Sequence, residues 1–222
     1  MYRLVFCDLD GTLATFKGEV RPAVREAMQA GQHVFGENTV QDALGKLRVL
    51  QEPGNEWHFI GHLQSNKAKH IPGNFSWLHT LDSTKLANRL ARHCQETHST
   101  LNILIQVNVS GDPDKHGLPA ERLFGFTEEL LEAGHAGLSL RGLMTIGRRD
   151  ASVAERQREF AAMRELAAAC GERFGASRFG ELSMGMSSDF EQAIREGASI
   201  VRVGSAIFGP RPMPVGNTSH KT

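Results

Sequence analysis

The feature that most constrains this chain is a rhythm. Short apolar runs at 2–7, 33–35, 57–60, 77–80, 103–108, 140–146, 181–183 and 199–203 alternate with helical patterning around 21–30, 39–50, 65–70, 83–96, 120–134, 151–174 and 188–196. Each run is too apolar to face water on either side, and strands that alternate with helices pair in parallel beneath them. Eight strands close such a sheet on itself, so the predicted fold is α/β, a single-domain (β/α)8 TIM barrel. An open doubly wound sheet shares the alternation but does not gather every strand end around one mouth. Barrel sites sit at the C-terminal strand ends, and the polar residues fall there: Asp8, Asn38, Gly61-His62, Asp82, Asn108, Thr145, Ser183 and Arg202.

Composition narrows the partner. With 25 basic and 25 acidic residues in 222, no net field gathers nucleic acid or an anionic membrane, and a small molecule is the expected ligand. No run of apolar residues approaches the length of a membrane span. The cysteines, Cys7, Cys94 and Cys170, are far apart and in no metal-like spacing, as expected of reduced thiols in the cytoplasm, with Cys7 and Cys170 in the core. His58 and His62 span a strand and its turn rather than one helix face, so no metal pair is expected. The expected assembly is a monomer or weak dimer.

Two late segments carry the chemistry. Leu182-Ser183-Met184-Gly185-Met186-Ser187 and, after one helical stretch, the run from Ser199 to Gly209 each read as a strand entering a turn of small residues. Alone, either turn is accounted for by Gly and Ser shaping the backbone. Two in succession, each followed by a helix, predict a cup of N–H groups and hydroxyls for a phosphate. Arg202, always charged, ends the last strand, where it suits an oxyanion or a ring nitrogen.

Longer motifs run through the same region: Phe35-Gly36-Glu37-Asn38 with Val40-Gln41, the stretch from Trp57 to Lys67, Ile105-Gln106-Val107-Asn108, Arg141-Gly142-Leu143-Met144, and the two late segments. On these the chain, from about Gly31 to 211, resembles the pyridoxal phosphate (PLP) homeostasis protein family, barrels related to the N-terminal domain of bacterial alanine racemases. The resemblance implies PLP at the mouth. Ser187, Gly204 and Ser205 would hold its phosphate in a cup that includes Ser183 and Gly185, with Arg202 toward the pyridine nitrogen and Asn38 and Met144 near the ring. An arginine there keeps that nitrogen unprotonated and weakens the electron sink, which suits a cofactor carrier better than an enzyme.

At the start the chain departs from that family, whose Schiff-base lysine ends the first strand. Leu4-Val5-Phe6-Cys7-Asp8-Leu9-Asp10-Gly11-Thr12-Leu13 instead resembles the opening of a haloacid-dehalogenase-type phosphatase. The chain therefore reads as a chimera of residues 1–30, a cofactor barrel at 31–211 and a flexible tail at 212–222. If 2–7 is the first strand, Asp8 takes the lysine's place. If 13–16 is the strand, Lys17 takes it, 14 residues before Gly31 as in the family. The stronger apolar run favours Asp8, and Lys17 is then either a cofactor contact that reaches the mouth from its loop or a solvated charge. A carboxylate in that position opposes an anionic cofactor, by about 4 kcal/mol at 4 Å and an effective dielectric of ~20. Asp8 and Asp10 with Mg²⁺ also suit an aspartyl-phosphate mechanism, so a phosphatase is the alternative function and an inactive barrel the third. Lys115, after the fifth strand, is either a second cofactor contact or a solvated charge.

Overall fold

The computed structural model describes residues 3–8, 22–48, 50, 53–148 and 150–209. The described residues form nine strands and seven α-helices: β1 (Arg3–Asp8), α1 (Pro22–Gln29), β2 (Val34–Glu37), α2 (Val40–Leu47), β3 (Glu56–Phe59), β4 (Trp77–Leu81), α3 (Thr84–Glu96), β5 (Leu101–Asn108), β6 (Leu118–Pro119), α4 (Leu123–Glu132), β7 (Leu138–Met144), α5 (Val153–Phe174), β8 (Glu181–Met186), α6 (Phe190–Arg195), β9 (Ile200–Val203) and α7 (Ser205–Phe208). Eight of the strands pair in parallel around a ring, β1-β2-β3-β4-β5-β7-β8-β9, and β9 returns to β1 with Arg3 opposite Ile200 and Phe6 opposite Val203. This is the expected barrel. The ninth strand, β6, is an addition that the apolar pattern did not signal: its two residues pair only with the end of β5, Val107 with Leu118 and Asn108 with Pro119.

Two differences from the sequence-based expectation have local causes. The helical stretch expected at 65–70 is of the tighter 3₁₀ kind, in keeping with its few apolar positions. The strand expected at 140–146 runs instead from Leu138 to Met144, so Ile146 sits beyond it, partly exposed on the mouth.

Side chains alternate across each strand, so the barrel has an outer and an inner layer. The outer layer, between strands and helices, is largely apolar, with Phe35, Phe59, Leu78, Ile103, Leu143, Phe160 and Met163 all but removed from water, and it also holds a buried ion pair, Lys46 of α2 on Glu37 of β2 at 3.2 Å. The inner cluster is far smaller: Val5, Ile60, Trp77, Leu104, Met144 and Ile200. Polar groups fill the rest of the interior. The long helix α5 is fixed at its start by a capping box, in which the Ser152 hydroxyl accepts from Glu155 N–H at 3.3 Å and Glu155 accepts from Ser152 N–H at 2.7 Å.

Candidate functional site

At the C-terminal end of the barrel a cavity of about 330 Å³ opens between the ends of β7, β8 and β9, lined by Gly147, Arg148, Gly185, Ser187, Arg202 and Ser205 among others. The turn after β8 is closed by Asp189, whose carboxylate accepts from Met186 N–H at 2.6 Å while its own N–H donates to the Met186 carbonyl at 3.0 Å. Gly185 has φ +91°, and a Cβ there would lie 2.6 Å from that of Ala193, so this turn accepts only glycine. The result holds Ser187 against the turn after β9. The N–H groups of Gly204 and Ala206 both donate to its hydroxyl, at 3.1 and 3.3 Å. Two main-chain donors thus converge on one oxygen at the cavity wall, the geometry in which main-chain turns receive an anion's oxygen.

Arg202 lies beneath, 2% exposed, and donates from Nη1 to the Ser183 hydroxyl at 2.6 Å and from Nη2 to the Thr145 carbonyl at 2.8 Å. Thr145 is itself tied to β5, donating from Oγ1 to the Val107 carbonyl at 2.8 Å. Below Ser183 a line of hydrogen bonds crosses the barrel interior. His79 Nδ1 is 2.8 Å from Ser183 Oγ, His79 Nε2 is 2.8 Å from His58 Nδ1, and His58 Nε2 is 2.7 Å from Glu56 Oε1. Both rings are fully buried, and burial is the largest cause holding each below the ordinary histidine value. The hydrogen bond from His58 in turn lowers Glu56.

The rim is charged. Lys115 Nζ donates to the carbonyls of Ile146 at 3.2 Å and Gly147 at 2.5 Å, which ties the loop after β5 to the cavity wall rather than leaving a solvated charge. Arg148 reaches Glu159 at 3.3 Å on α5. Across the mouth, His62 and His116 stack at 3.7 Å, with His62 3.8 Å from Asp82. Among the described residues no group of three His, Cys, Asp or Glu side chains is placed to hold a metal ion.

The residues singled out from the sequence do not all fall together. Gly185, Ser187, Arg202 and Ser205 line one cavity, with Gly204 on Ser187. Ser183 and Met144 lie deeper, both fully buried in the barrel interior, so Ser183 meets Arg202 and His79. Asn38 follows β2 at the same barrel end, so close to β3 that a Cβ on Gly61 would sit 1.9 Å from its carbonyl oxygen. Asp8 is the last residue of β1, level with Glu37, as the apolar run 2–7 predicted. Asp10, Lys17 and the tail 212–222 lie outside the described residues. The paired histidines of the interior were missed. Their signal was the two-residue spacing of Glu56 and His58, which puts both on one face of a strand whose neighbours are apolar.

Fold and site together define a single-domain parallel barrel with a small cavity at its mouth over a buried arginine. The profile of the alanine racemase N-terminal domain matches residues 17–212. The pyridoxal phosphate homeostasis protein of Pseudomonas aeruginosa is 43% identical over 201 residues, covering 90% of this chain and 84% of that one. That of Escherichia coli K12 is 41% identical over 203 residues, covering 90% and 85%. Among solved structures, PipY of Synechococcus elongatus without PLP superposes with a TM-score of 0.84 at 37% identity, covering 94% of this chain and 93% of that one. Its PLP-bound form gives 0.81 at 36%, covering 94% and 92%. The chain therefore belongs to the alanine racemase N-terminal domain family, among the pyridoxal phosphate homeostasis proteins. The profile match starts at Lys17, after β1.

Proposed function

We propose that this chain binds pyridoxal 5'-phosphate at the barrel mouth and serves in the cell's handling of that cofactor, as a carrier rather than as an enzyme with a substrate of its own. One observation carries the reading: the two main-chain N–H groups of Gly204 and Ala206 converge on the Ser187 hydroxyl in a cavity floored by Arg202. That wall suits a phosphate, whose oxygens accept from such donors. Ser187, Gly204 and Ser205, with Gly185 giving the turn its shape, would hold the phosphate, and Arg202 would meet the ring nitrogen as a donor that stays charged. Asn38 at the end of β2 would approach the ring from the opposite side, while Met144 and Ser183 would support it from below. When bound, PLP supplies a reactive aldehyde and a ring that draws electrons. The residues around it here bind and orient it.

Covalent attachment is a separate matter. Asp8 ends β1, and Lys17 opens the profile match, so Lys17 is the amine proposed to reach the mouth. The phosphatase reading rests on Asp8 and Asp10, and Asp10 lies outside the described residues. The test is titration of the purified protein with PLP, followed by absorbance and then by borohydride treatment and peptide mapping. A saturable spectral change is expected, with the label on Lys17. Absence of saturable binding would overturn the reading. Binding without label would leave a cofactor held by the phosphate cup alone.

A further inference from the structure

The hydrogen bonds across the barrel interior have only one consistent direction. Glu56, lowered by its hydrogen bond from His58, is a carboxylate and can only accept, so His58 carries its proton on Nε2. In a neutral ring Nδ1 then accepts, so His79 donates from Nε2. His79 Nδ1 accepts in turn, and the donor to it is the Ser183 hydroxyl. Ser183 Oγ is left as the acceptor for Arg202, which can only donate. The carboxylate end fixes these tautomers, and the guanidinium end is compatible with them, since Ser183 Oγ accepts from Arg202 while its own proton goes to His79.

We propose that Ser183, His79 and His58 are positioning residues for Arg202, a polarised chain anchored on Glu56 at the barrel floor that fixes the guanidinium under the cavity. The groups around it keep it so. From β1, Arg3 lies 3.8 Å from Glu56, over the Trp77 ring, and pairs with Glu181 of β8. Trp77 of β4 stacks on His58 and hydrogen-bonds Glu56. Arg202 approaches from β9, and the inner faces of β5 and β7 contribute the apolar Leu104 and Met144. Full burial, with Arg3, opposes a proton on His58 against the pull of Glu56 and Glu181, and full burial, His58 and the two guanidiniums of Arg202 and Arg3 oppose one on His79. If one is added, His79 Nδ1 becomes a donor, the Ser183 hydroxyl turns away, and a cation stands one hydrogen bond from Arg202.

The test has two arms. Long-range ¹H–¹⁵N spectra of the protein without PLP should show His58 and His79 both protonated on Nε2 near neutral pH. An Nδ1–H tautomer on either ring, or averaging between tautomers as in free imidazole, would overturn the chain. This arm needs no cofactor. The second arm rests on the PLP reading: Ser183→Ala should weaken PLP binding about tenfold and move the absorbance maximum of the bound cofactor. Ser183→Thr, which keeps a hydroxyl, should restore both. An unchanged maximum and affinity in Ser183→Ala would refute the positioning role. If the unaltered protein binds no PLP, the proposed function falls and the tautomers alone decide the chain.

Discussion

The two layers of the barrel obey different rules. Between strands and helices the packing is apolar and continuous, from Phe35 and Phe59 on one side to Phe160 and Met163 on the other. Inside the ring, six apolar side chains share the space with Glu56, His58, His79, Ser183 and Arg202, joined end to end. Apart from the Glu37–Lys46 pair between β2 and α2, the outer layer needs volume and hydrophobicity. The inner one needs each donor matched to an acceptor, because an unpaired polar group at full burial costs about 1–3 kcal/mol. Stability is therefore concentrated outside and specificity inside, and substitutions should separate the two.

The largest effect is expected outside. Phe160→Ala, in the fully buried α5 layer, should cost about 3–5 kcal/mol by leaving a cavity. At roughly 2–4 °C per kcal/mol for a chain of this size, the thermal midpoint should fall by about ten degrees or more while PLP affinity at low temperature is kept. A small shift would mean that the outer layer is loosely packed. Next comes a pH effect that belongs to the inside. His58 and His79 are held below the ordinary histidine value of 6.5, so below that pH the unfolded chain takes up protons that the folded chain refuses. Their contribution is complete above 6.5 and is lost as pH falls toward the lowered folded values. Glu56, held below the usual 4.5, adds a loss of the same sign at more acidic pH. The thermal midpoint should thus decline from neutral pH to about pH 5, and His79→Leu should flatten that slope. A flat profile in the unaltered protein would erase the contrast between the layers. The smallest effect on stability is expected at the mouth. Ser187→Ala removes the acceptor for Gly204 and Ala206 at a cost of about 1 kcal/mol, while the affinity for PLP falls about tenfold. Equal affinity with and without the hydroxyl would place the phosphate elsewhere.

The same contrast accounts for what was legible in the residues alone. The alternation of apolar runs and helices reports the outer layer, since covered parallel strands must be apolar, and the barrel followed from counting them. Ser187, Gly204 and Arg202 were readable because two successive strands both end in turns of small residues, a pattern that chain reversal by itself does not require. The interior line was not readable as a line. His58 and His79 stand in different strands, and each looks like a lone histidine among apolar neighbours until β3 and β4 are laid side by side. Ser183 belongs both to the motif after the long helix and to that line, and only its contacts separate the roles. The two residues of β6 are too short to leave a period. Of the two alignments of the opening, β1 follows the one that makes 2–7 the first strand, while Asp10 and Lys17 lie outside the described residues.

The seam between β1 and β9 has a consequence for how the molecule forms. Arg3 must find Ile200 and Leu4 must find Val201, so the ring closes only across almost the whole chain. Loop-closure entropy opposes such a pairing until most other contacts exist, which predicts slow folding with closure as a late event. On the ribosome, β1 emerges before the other strands of the ring and finds its second partner, β9, last. Until then its edge, and that of β8, are open templates for a neighbouring nascent chain, and a chaperone that shields them would raise the yield of closed barrels.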